Sequence, residues 1–185
     1  MIAICVGHSR PGDSGAVSVG GISERFANQR LARQVLSKLE DHDIECEIID
    51  SYQGATYGAA MRWLGRKLTT IKATGAVELH FNFAVPAAHG HEWLFWHESV
   101  GGKYLAQHLD RAMQAACPDH KARGLVPIRK NERGAEFLRC TPCPAVIAEP
   151  YFGSNAQEWA WAVNHQHELA QVLADGIAAW EGGRQ

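Results

Sequence analysis

Short apolar segments alternate with segments of helical periodicity along most of the chain. The apolar segments occupy residues 2–6, 75–83 and 145–148, and helix-like patterns separate them. This alternation is typical of parallel strands joined by crossover helices, because strands buried on both faces read as continuous apolar runs. We therefore predict the α/β class, with a single domain built on a twisted, mostly parallel central sheet flanked by helices.

The same patterns give approximate bounds for the other elements. We predict further strands at residues 44–49 and 92–96, and helices at residues 24–41, 57–72, 100–117 and 156–180. Residues 118–139 carry few regular signals and are predicted to form an exposed loop with a short strand. The last residues, 182–185, are predicted to fray.

Composition limits the number of domains and the class of partner. The 185 residues, 46% of them hydrophobic, fit one domain with a well-filled core. The net charge of −2 argues against a nucleic-acid partner, since such domains usually carry a basic excess. Residues 1–7 lack the features of a signal peptide, and no stretch approaches the ~18 apolar residues of a membrane helix. We therefore expect synthesis in the cytoplasm and no membrane insertion.

Three polar residues lie where predicted strands end. His8 follows the first strand, His80 lies near the end of the third, and Glu149 follows the last. Ligands of open α/β sheets bind outside the carboxyl ends of the strands, so these side chains are expected at one edge of the sheet. With Glu24 at the start of the first helix, two histidines and a carboxylate can hold zinc and leave a fourth position for water. A further buried carboxylate can then act as general base.

Four motifs carry a resemblance to a known family. They are Gly7-His8 with the Gly/Asp-rich loop that leads to Glu24, Glu78-Leu79-His80-Phe81-Asn82-Phe83-Ala84, Gly90-His91-Glu92-Trp93-Leu94-Phe95-Trp96, and Pro144-Ala145-Val146-Ile147-Ala148-Glu149-Pro150-Tyr151-Phe152-Gly153-Ser154-Asn155 with Glu158. In order and spacing they resemble the zinc-dependent N-acetylmuramoyl-L-alanine amidases that cut bacterial peptidoglycan. The resemblance extends from residue 2 to about residue 180.

The resemblance implies a role for each site residue. His8, Glu24 and His80 are similar to the zinc ligands, and Glu149 to the general base that takes a proton from the zinc-activated water. The implied reaction is hydrolysis of the amide bond between N-acetylmuramic acid and L-alanine. Four further polar residues are candidate substrate contacts: His91, Glu92, Arg129 and Asn155.

The resemblance also implies a setting for the reaction, since the family includes phage and prophage endolysins, which are bacteriolytic. We expect peptidoglycan as the partner and action on the cell wall after release by another factor. Residues 1–181 are expected to form the catalytic domain, with 182–185 as a frayed tail and no separate wall-binding domain.

Two positions depart from the family pattern. Glu78 stands where the family usually has serine or another small residue, and its side chain either reaches solvent or lies behind the metal. Pro150 and Tyr151 follow Glu149 where the family has a shorter turn, so the local turn is expected to differ.

Two other functions remain open at this point. The segments His89-Gly90-His91-Glu92 and His165-Gln166-His167-Glu168 both contain H-x-x-E, which resembles part of a zinc carboxypeptidase or deacylase site on a related sheet. A non-catalytic wall-binding module with the same fold is the alternative from another class. The intact set of ligands, together with Glu149, argues against a module without turnover.

Five cysteines, an odd number, argue against a disulfide framework. Cys140 and Cys143 have the C-x-x-C spacing, but they precede a strand, whereas a redox pair normally opens a helix. A structural zinc would need two more ligands nearby. We therefore predict that the pair is structural or incidental.

Overall fold

A six-stranded sheet with helices on both faces forms the molecule. The computed structural model describes residues 1–183. The strands are β1 (Ile2–Val6), β2 (Cys46–Ile49), β3 (Gly75–Leu79), β4 (His91–Trp96), β5 (Ala122–Ile128) and β6 (Ala145–Glu149). The helices are α1 (Glu24–Glu40), α2 (Tyr57–Thr70), α3 (Val100–Ala116), α4 (Ala135–Cys140), α5 (Ala156–Asn164) and α6 (Gln166–Gly182).

The sheet has the strand order β2-β1-β3-β6-β4-β5. Strands β2, β1, β3 and β6 run parallel, and β4 pairs with β6 in the antiparallel direction. The predicted α/β class with a mostly parallel sheet is therefore confirmed. Because β1, β3 and β6 are adjacent and parallel, their carboxyl ends lie side by side at one edge of the sheet.

The two faces of the sheet pack against different helices. Along β1, Ile2, Ile4 and Val6 contribute to a core shared with α1, α3 and α6. Ala3 and Cys5 contribute to the other core, which includes residues of α2 and α4. This alternation follows from the two-residue period of a strand, and it buries β1, β3 and β6 on both faces.

The segment 118–139 is more regular than predicted. It contains the edge strand β5 and most of α4. The prediction of an exposed loop with a short strand therefore underestimated how much of the segment is regular secondary structure. The strand is hard to detect in the sequence because its central residues are only half-buried and it contains a proline, as edge strands often do. Helix α4 is short, but Phe137 and Leu138 are buried in the core shared with α2.

The other differences concern where elements end. Strand β3 ends at Leu79, one residue before His80, whereas the prediction extended it to residue 83. The closing helix is divided at His165, whose backbone leaves the helical region with φ −114° and ψ 25°. Gly182 is the last residue of α6 and Gly183 caps it, and the fraying of residues 182–185 stays a prediction. Arg184 and Gln185 lie outside the described residues.

None of the helices within residues 1–183 is both long enough and apolar enough to cross a membrane.

Candidate active site

Three short segments bring His8, Glu24 and His80 together; we call these three residues the metal cluster. His8 lies two residues beyond β1 and has the left-handed backbone conformation, with φ +58°. His80 follows β3 directly. Glu24 is the first residue of α1. Ser23 caps the start of this helix, because its side chain accepts a hydrogen bond from the backbone amide of Phe26.

Glu24 lies between the two histidines and contacts both. Its Oε2 is 3.3 Å from Nε2 of His8, and its Oε1 is 2.8 Å from Nδ1 of His80. One ligand atom from each residue of the metal cluster lies within 4.8 Å of the others. Two histidine nitrogens and one carboxylate oxygen at such separations can converge on a single ion.

Two glycines make this approach sterically possible. A Cβ atom on Gly7 would overlap the imidazole ring of His80. A Cβ on Gly15, which has φ +69°, would lie 2.7 Å from Cδ2 of His8 and 2.8 Å from Oε2 of Glu24. Any other residue at either position would push a member of the metal cluster away from its neighbours.

Each histidine also contacts a second acid through its other ring nitrogen. Oδ1 of Asp13 lies 3.0 Å from Nδ1 of His8, and Oε2 of Glu78 lies 3.0 Å from Nε2 of His80. Glu78 is buried at the wall of the site cavity, on the side of the His80 ring that faces away from Glu24. Carboxylates on the far nitrogen of a histidine commonly fix the orientation of metal ligands.

The charges of the metal cluster suit a cation. Burial raises the pKa of Glu24, but hydrogen bonds with His8 and His80 outweigh this effect and lower the pKa to about 2. Burial disfavours protonation of His80, yet its hydrogen bonds with Glu24 and Glu78 raise its pKa well above the usual value. The negative charges of Glu24 and Glu78 therefore favour positive charge at the metal cluster, which protons on the histidines or a divalent cation can supply. The donor set, its spacing and the two glycines all fit a bound metal ion.

Glu149 ends β6 beside the metal cluster. Burial raises the pKa of its carboxyl group, and Glu92 and Glu24 add to this effect, while His80 and Arg133 oppose it. Nη1 of Arg133 donates a 2.6 Å hydrogen bond to Oε1 of Glu149, and the other terminal nitrogen of Arg133 contacts Glu92. A buried carboxylate with a raised pKa is a suitable proton acceptor in a reaction.

A single cavity connects these groups. It has a volume of about 440 Å³. The four principal residues predicted from the sequence all line it: His8, Glu24, His80 and Glu149. Other side chains in its walls are those of Arg10, Tyr57, Phe83 and Arg133.

The candidate substrate contacts are placed less favourably. Arg129 is exposed and does not line the cavity, and Asn155 caps α5 by accepting hydrogen bonds from the amides of Gln157 and Glu158. Glu92 is buried and accepts hydrogen bonds from Asn82 and Arg123 as well as from Arg133. It holds Arg133 in place at the base of the site.

His91 is fully buried and does not line the cavity, and its role as a substrate contact stays a prediction. Its Nδ1 lies 3.1 Å from Nδ1 of His120, its Nε2 lies 3.3 Å from Asp110, and Nε2 of His120 lies 3.1 Å from Glu158. His91 and His120 form a second polar cluster together with the acids that contact them, Asp110 and Glu158. We call this cluster the histidine pair, after its two imidazole rings. A period of two places His91 on one face of a strand, but it cannot say which groups cover that face, so its contacts with His120 and Asp110 could not be predicted.

Arg133 was missed by the sequence analysis. The basic segment that contains it has the composition of a solvated loop, and no motif distinguishes Arg133 from Arg129. Its position depends on α4, which begins just after Gly134, a residue with φ +74°. The positive φ at this glycine turns the chain so that Arg133 reaches Glu149 and Glu92.

Several solved amidase structures share the fold of this chain. A comparison with curated sequences gives no match. The structure is similar to an N-acetylmuramoyl-L-alanine amidase from Clostridium difficile 630, with 20% identity, a TM-score of 0.84, and coverage of 100% of this chain and 97% of that chain. It is also similar to the catalytic domain of the amidase CwlV from Bacillus (Paenibacillus) polymyxa var. colistinus, with 24% identity, a TM-score of 0.78, and coverage of 98% and 99%.

A third similar structure is the catalytic domain of an endolysin that targets Clostridia difficile, with 20% identity, a TM-score of 0.79, and coverage of 96% of both chains. At these identities the structures establish the shared fold. The sequence profile described as N-acetylmuramoyl-L-alanine amidase matches residues 2–179, which is nearly the whole chain. The chain therefore belongs to the N-acetylmuramoyl-L-alanine amidase family, whose substrate is peptidoglycan.

Proposed function

We propose that the protein is a zinc-dependent peptidoglycan amidase in which His8, Glu24 and His80 hold the metal and Glu149 is the general base. The observation that carries the proposal is the convergence of three ligand atoms within 4.8 Å, next to a buried carboxylate in the same cavity. Two imidazoles and one carboxylate with a fourth position open are a usual set of catalytic zinc ligands, and zinc suits a hydrolytic reaction because it activates a bound water without redox chemistry.

The remaining residues supply proton transfer. When bound, zinc lowers the pKa of a water molecule towards ~7 and polarises the substrate carbonyl. Glu149 accepts the proton of the attacking water, and its raised pKa makes it a good acceptor at neutral pH. Glu149 then returns this proton to the amino group of L-alanine as the amide bond breaks. Arg133 binds Oε1, so we assign the proton transfer to Oε2.

Arg133 has a second effect on Glu149. Glu92 and Glu149 are paired directly across β4 and β6, so two carboxylates face each other in the sheet. The guanidinium of Arg133 contacts both and offsets their repulsion. This arrangement keeps Glu149 ionised despite its burial, which a general base requires.

The carboxypeptidase alternative has less support from the structure. His89 is exposed and Glu92 is directed at Arg123 and Arg133, so the first H-x-x-E does not converge. In the second, His165 and Glu168 are both well exposed, and their side chains are 4.0 Å apart. No group of metal-binding residues within 1–183 includes either segment.

Purified sacculi provide the test of the proposed function. The protein should release stem peptides with a new N-terminal alanine, and a chelator should abolish the release until zinc is restored. A released C-terminal amino acid would indicate a carboxypeptidase, and binding without cleavage would indicate a wall-binding module. Full activity of a metal-free preparation would overturn zinc dependence without affecting the assignment to the family. Lysis of intact cells by added protein would support an endolysin-like, bacteriolytic role.

A further inference from the structure

Glu78 is an acid placed in the apolar interior of the sheet. It is the next-to-last residue of β3, where Cys5 of β1 and Ile147 of β6 are its neighbours in register, and it lines the wall of the site cavity. Its side chain is only 5% exposed. A carboxylate in such surroundings is costly unless each oxygen has a hydrogen-bond donor. Glu78 is not one of the three residues whose atoms converge on the proposed metal position.

Two donors satisfy Glu78, and both are held in place. The hydroxyl of Tyr52 donates a 2.9 Å hydrogen bond to Oε1, and the imidazole of His80 lies 3.0 Å from Oε2. Burial, together with the charge of Glu78, raises the pKa of Tyr52 well above its usual value, so the phenol keeps its proton and donates it. The backbone amide of Tyr52 is anchored to the carbonyl of Ser9, next to His8.

This arrangement fixes the state of the His80 ring. An ionised carboxylate can only accept hydrogen bonds, so Nε2 of His80 must carry a proton towards Glu78. Nδ1, on the other side of the ring, lies 2.8 Å from Glu24, and it is the nitrogen whose proton a bound metal ion would replace. A neutral histidine with Nε2 protonated is the tautomer that can bind a metal through Nδ1.

We propose that Glu78, held by Tyr52, is a positioning residue that keeps His80 in the tautomer and orientation that bind metal through Nδ1. The inference rests on the proposed zinc dependence and adds two residues to it. Tyr52 also connects the two histidine segments, because its backbone binds the loop that carries His8 while its hydroxyl binds Glu78.

Glu78→Gln is the decisive variant because it removes one of the two acceptor oxygens that Tyr52 and His80 use. Glutamine has one acceptor oxygen where glutamate has two, so either Tyr52 or His80 loses its acceptor, while side-chain size is kept. Loss of such an outer-shell partner typically weakens metal affinity by about 10–100-fold. We expect a loss of this size in zinc affinity, measured by competition with a chromophoric chelator. Tyr52→Phe removes one hydrogen bond and leaves Glu78 in contact with His80, so we expect a smaller loss.

Glu47→Gln is the matched control. It makes the same chemical change on the edge strand β2, which β1 separates from β3; Glu47 forms an ion pair with Lys67 there and does not line the cavity. It should bind zinc as the wild type does. Thermal unfolding of all the variants without metal separates a folding defect from a loss of affinity, and Tyr52→Phe serves as the second test if Glu78→Gln does not fold.

Nuclear magnetic resonance of the zinc-loaded protein measures the chemical shift of the Nε2 proton of His80. This shift would not change if Glu78 only stabilised the fold. The Nε2 proton of His80 should resonate far downfield in the wild type, because it is bound to a carboxylate, and should move upfield in Glu78→Gln. Unchanged zinc affinity and an unchanged His80 proton in Glu78→Gln would overturn the inference alone. Zinc loss as complete as in His80→Ala would make Glu78 a ligand and would also overturn it. If the wild type itself binds no zinc, the inference falls together with the proposed zinc dependence.

Discussion

The metal cluster and the histidine pair are built from the same kinds of side chain, yet their geometry differs. In the metal cluster both histidines contact one shared carboxylate, Glu24, so their ring nitrogens converge on one point. In the histidine pair the two rings are stacked at 5.4 Å and contact each other, and each has an acid of its own. The first arrangement brings three ligand atoms within 4.8 Å of one another, while the second is a linear chain of contacts.

This difference shows that convergence, and not the number of histidines and acids, distinguishes a metal site from a structural polar cluster. The backbone produces the convergence. His8, Glu24 and His80 come from the ends of two adjacent parallel strands and the start of one helix. His91 is the first residue of β4. Because β4 is antiparallel to β6, the amino end of β4 lies at the same edge of the sheet as Glu149. The imidazole of His91, however, is fully buried.

The largest expected effect is on catalysis by Glu149→Gln. The substitution preserves size but removes the basic carboxylate, and general-base assistance is typically worth about 10²–10⁴-fold in rate. We expect sacculus hydrolysis to fall by that factor while zinc content and folding stay unchanged. Glu158→Gln makes the same change in the histidine pair and should keep near-normal activity.

Two results would change the assignment of Glu149. Retention of more than about a tenth of the activity would exclude it as the main base, because the loss would be far smaller than general-base catalysis predicts. Loss of zinc in Glu149→Gln would make Glu149 a ligand, and the role of Glu24 would need revision.

The second prediction compares metal content directly. His80→Ala removes one of the three proposed ligands, so the purified variant should contain almost no zinc, against about one ion per chain in the wild type. His120→Ala removes a histidine of the other cluster and should keep its zinc. Elemental analysis of both variants makes the measurement. Equal zinc loss in the two would mean that the clusters are not distinct in the way the geometry indicates.

Much of this site could be predicted from the sequence because its residues follow local rules. His8 and Glu149 come after short buried strands, and parallel strands place their carboxyl ends together. The resemblance of the motifs then distinguished ligands from base. These roles remain predictions until the variants are measured, although the structure brings all four residues to one cavity.

The contacts that depend on long-range packing could not be predicted. Arg133 reaches Glu149 only because α4 folds against α2, and its segment looks like a solvated loop in the sequence. Tyr52 and Glu78 are 26 positions apart, and nothing in either segment indicates their hydrogen bond. The break at His165 was missed because the apolar period continues on both sides of it.

The third prediction concerns the pH dependence of stability. Burial lowers the pKa of His91, and the neighbouring His120 lowers it further, while Asp110 and Glu158 oppose this. The unfolded chain therefore takes up a proton near pH ~6.5 that the folded protein does not, and the stability contributed by neutral His91 is lost as the pH falls. The free energy of unfolding should decrease by up to about 1.4 kcal/mol per pH unit from this group.

Urea unfolding of the wild type and of His91→Gln, from about pH 8 to about pH 5.5, isolates this contribution. The metal cluster affects both proteins equally, so the difference between the two curves reports the histidine pair. The variant should show the flatter dependence, whatever its absolute stability. Parallel curves would mean that His91 has the same proton affinity in the folded and unfolded chains.

The smallest expected effect is that of replacing both Cys140 and Cys143 by serine. No disulfide is present within residues 1–183, and the metal-binding groups found there do not include this pair. Cys140 ends α4, with its thiol near Glu136, and burial raises its pKa, which disfavours the reactive thiolate. The double variant should therefore hydrolyse sacculi at a near-normal rate and keep its zinc. A fall in zinc content would reveal a second metal site with ligands that do not converge in this structure, and a dependence of the wild-type rate on thiol reductants, absent from the variant, would restore the redox interpretation.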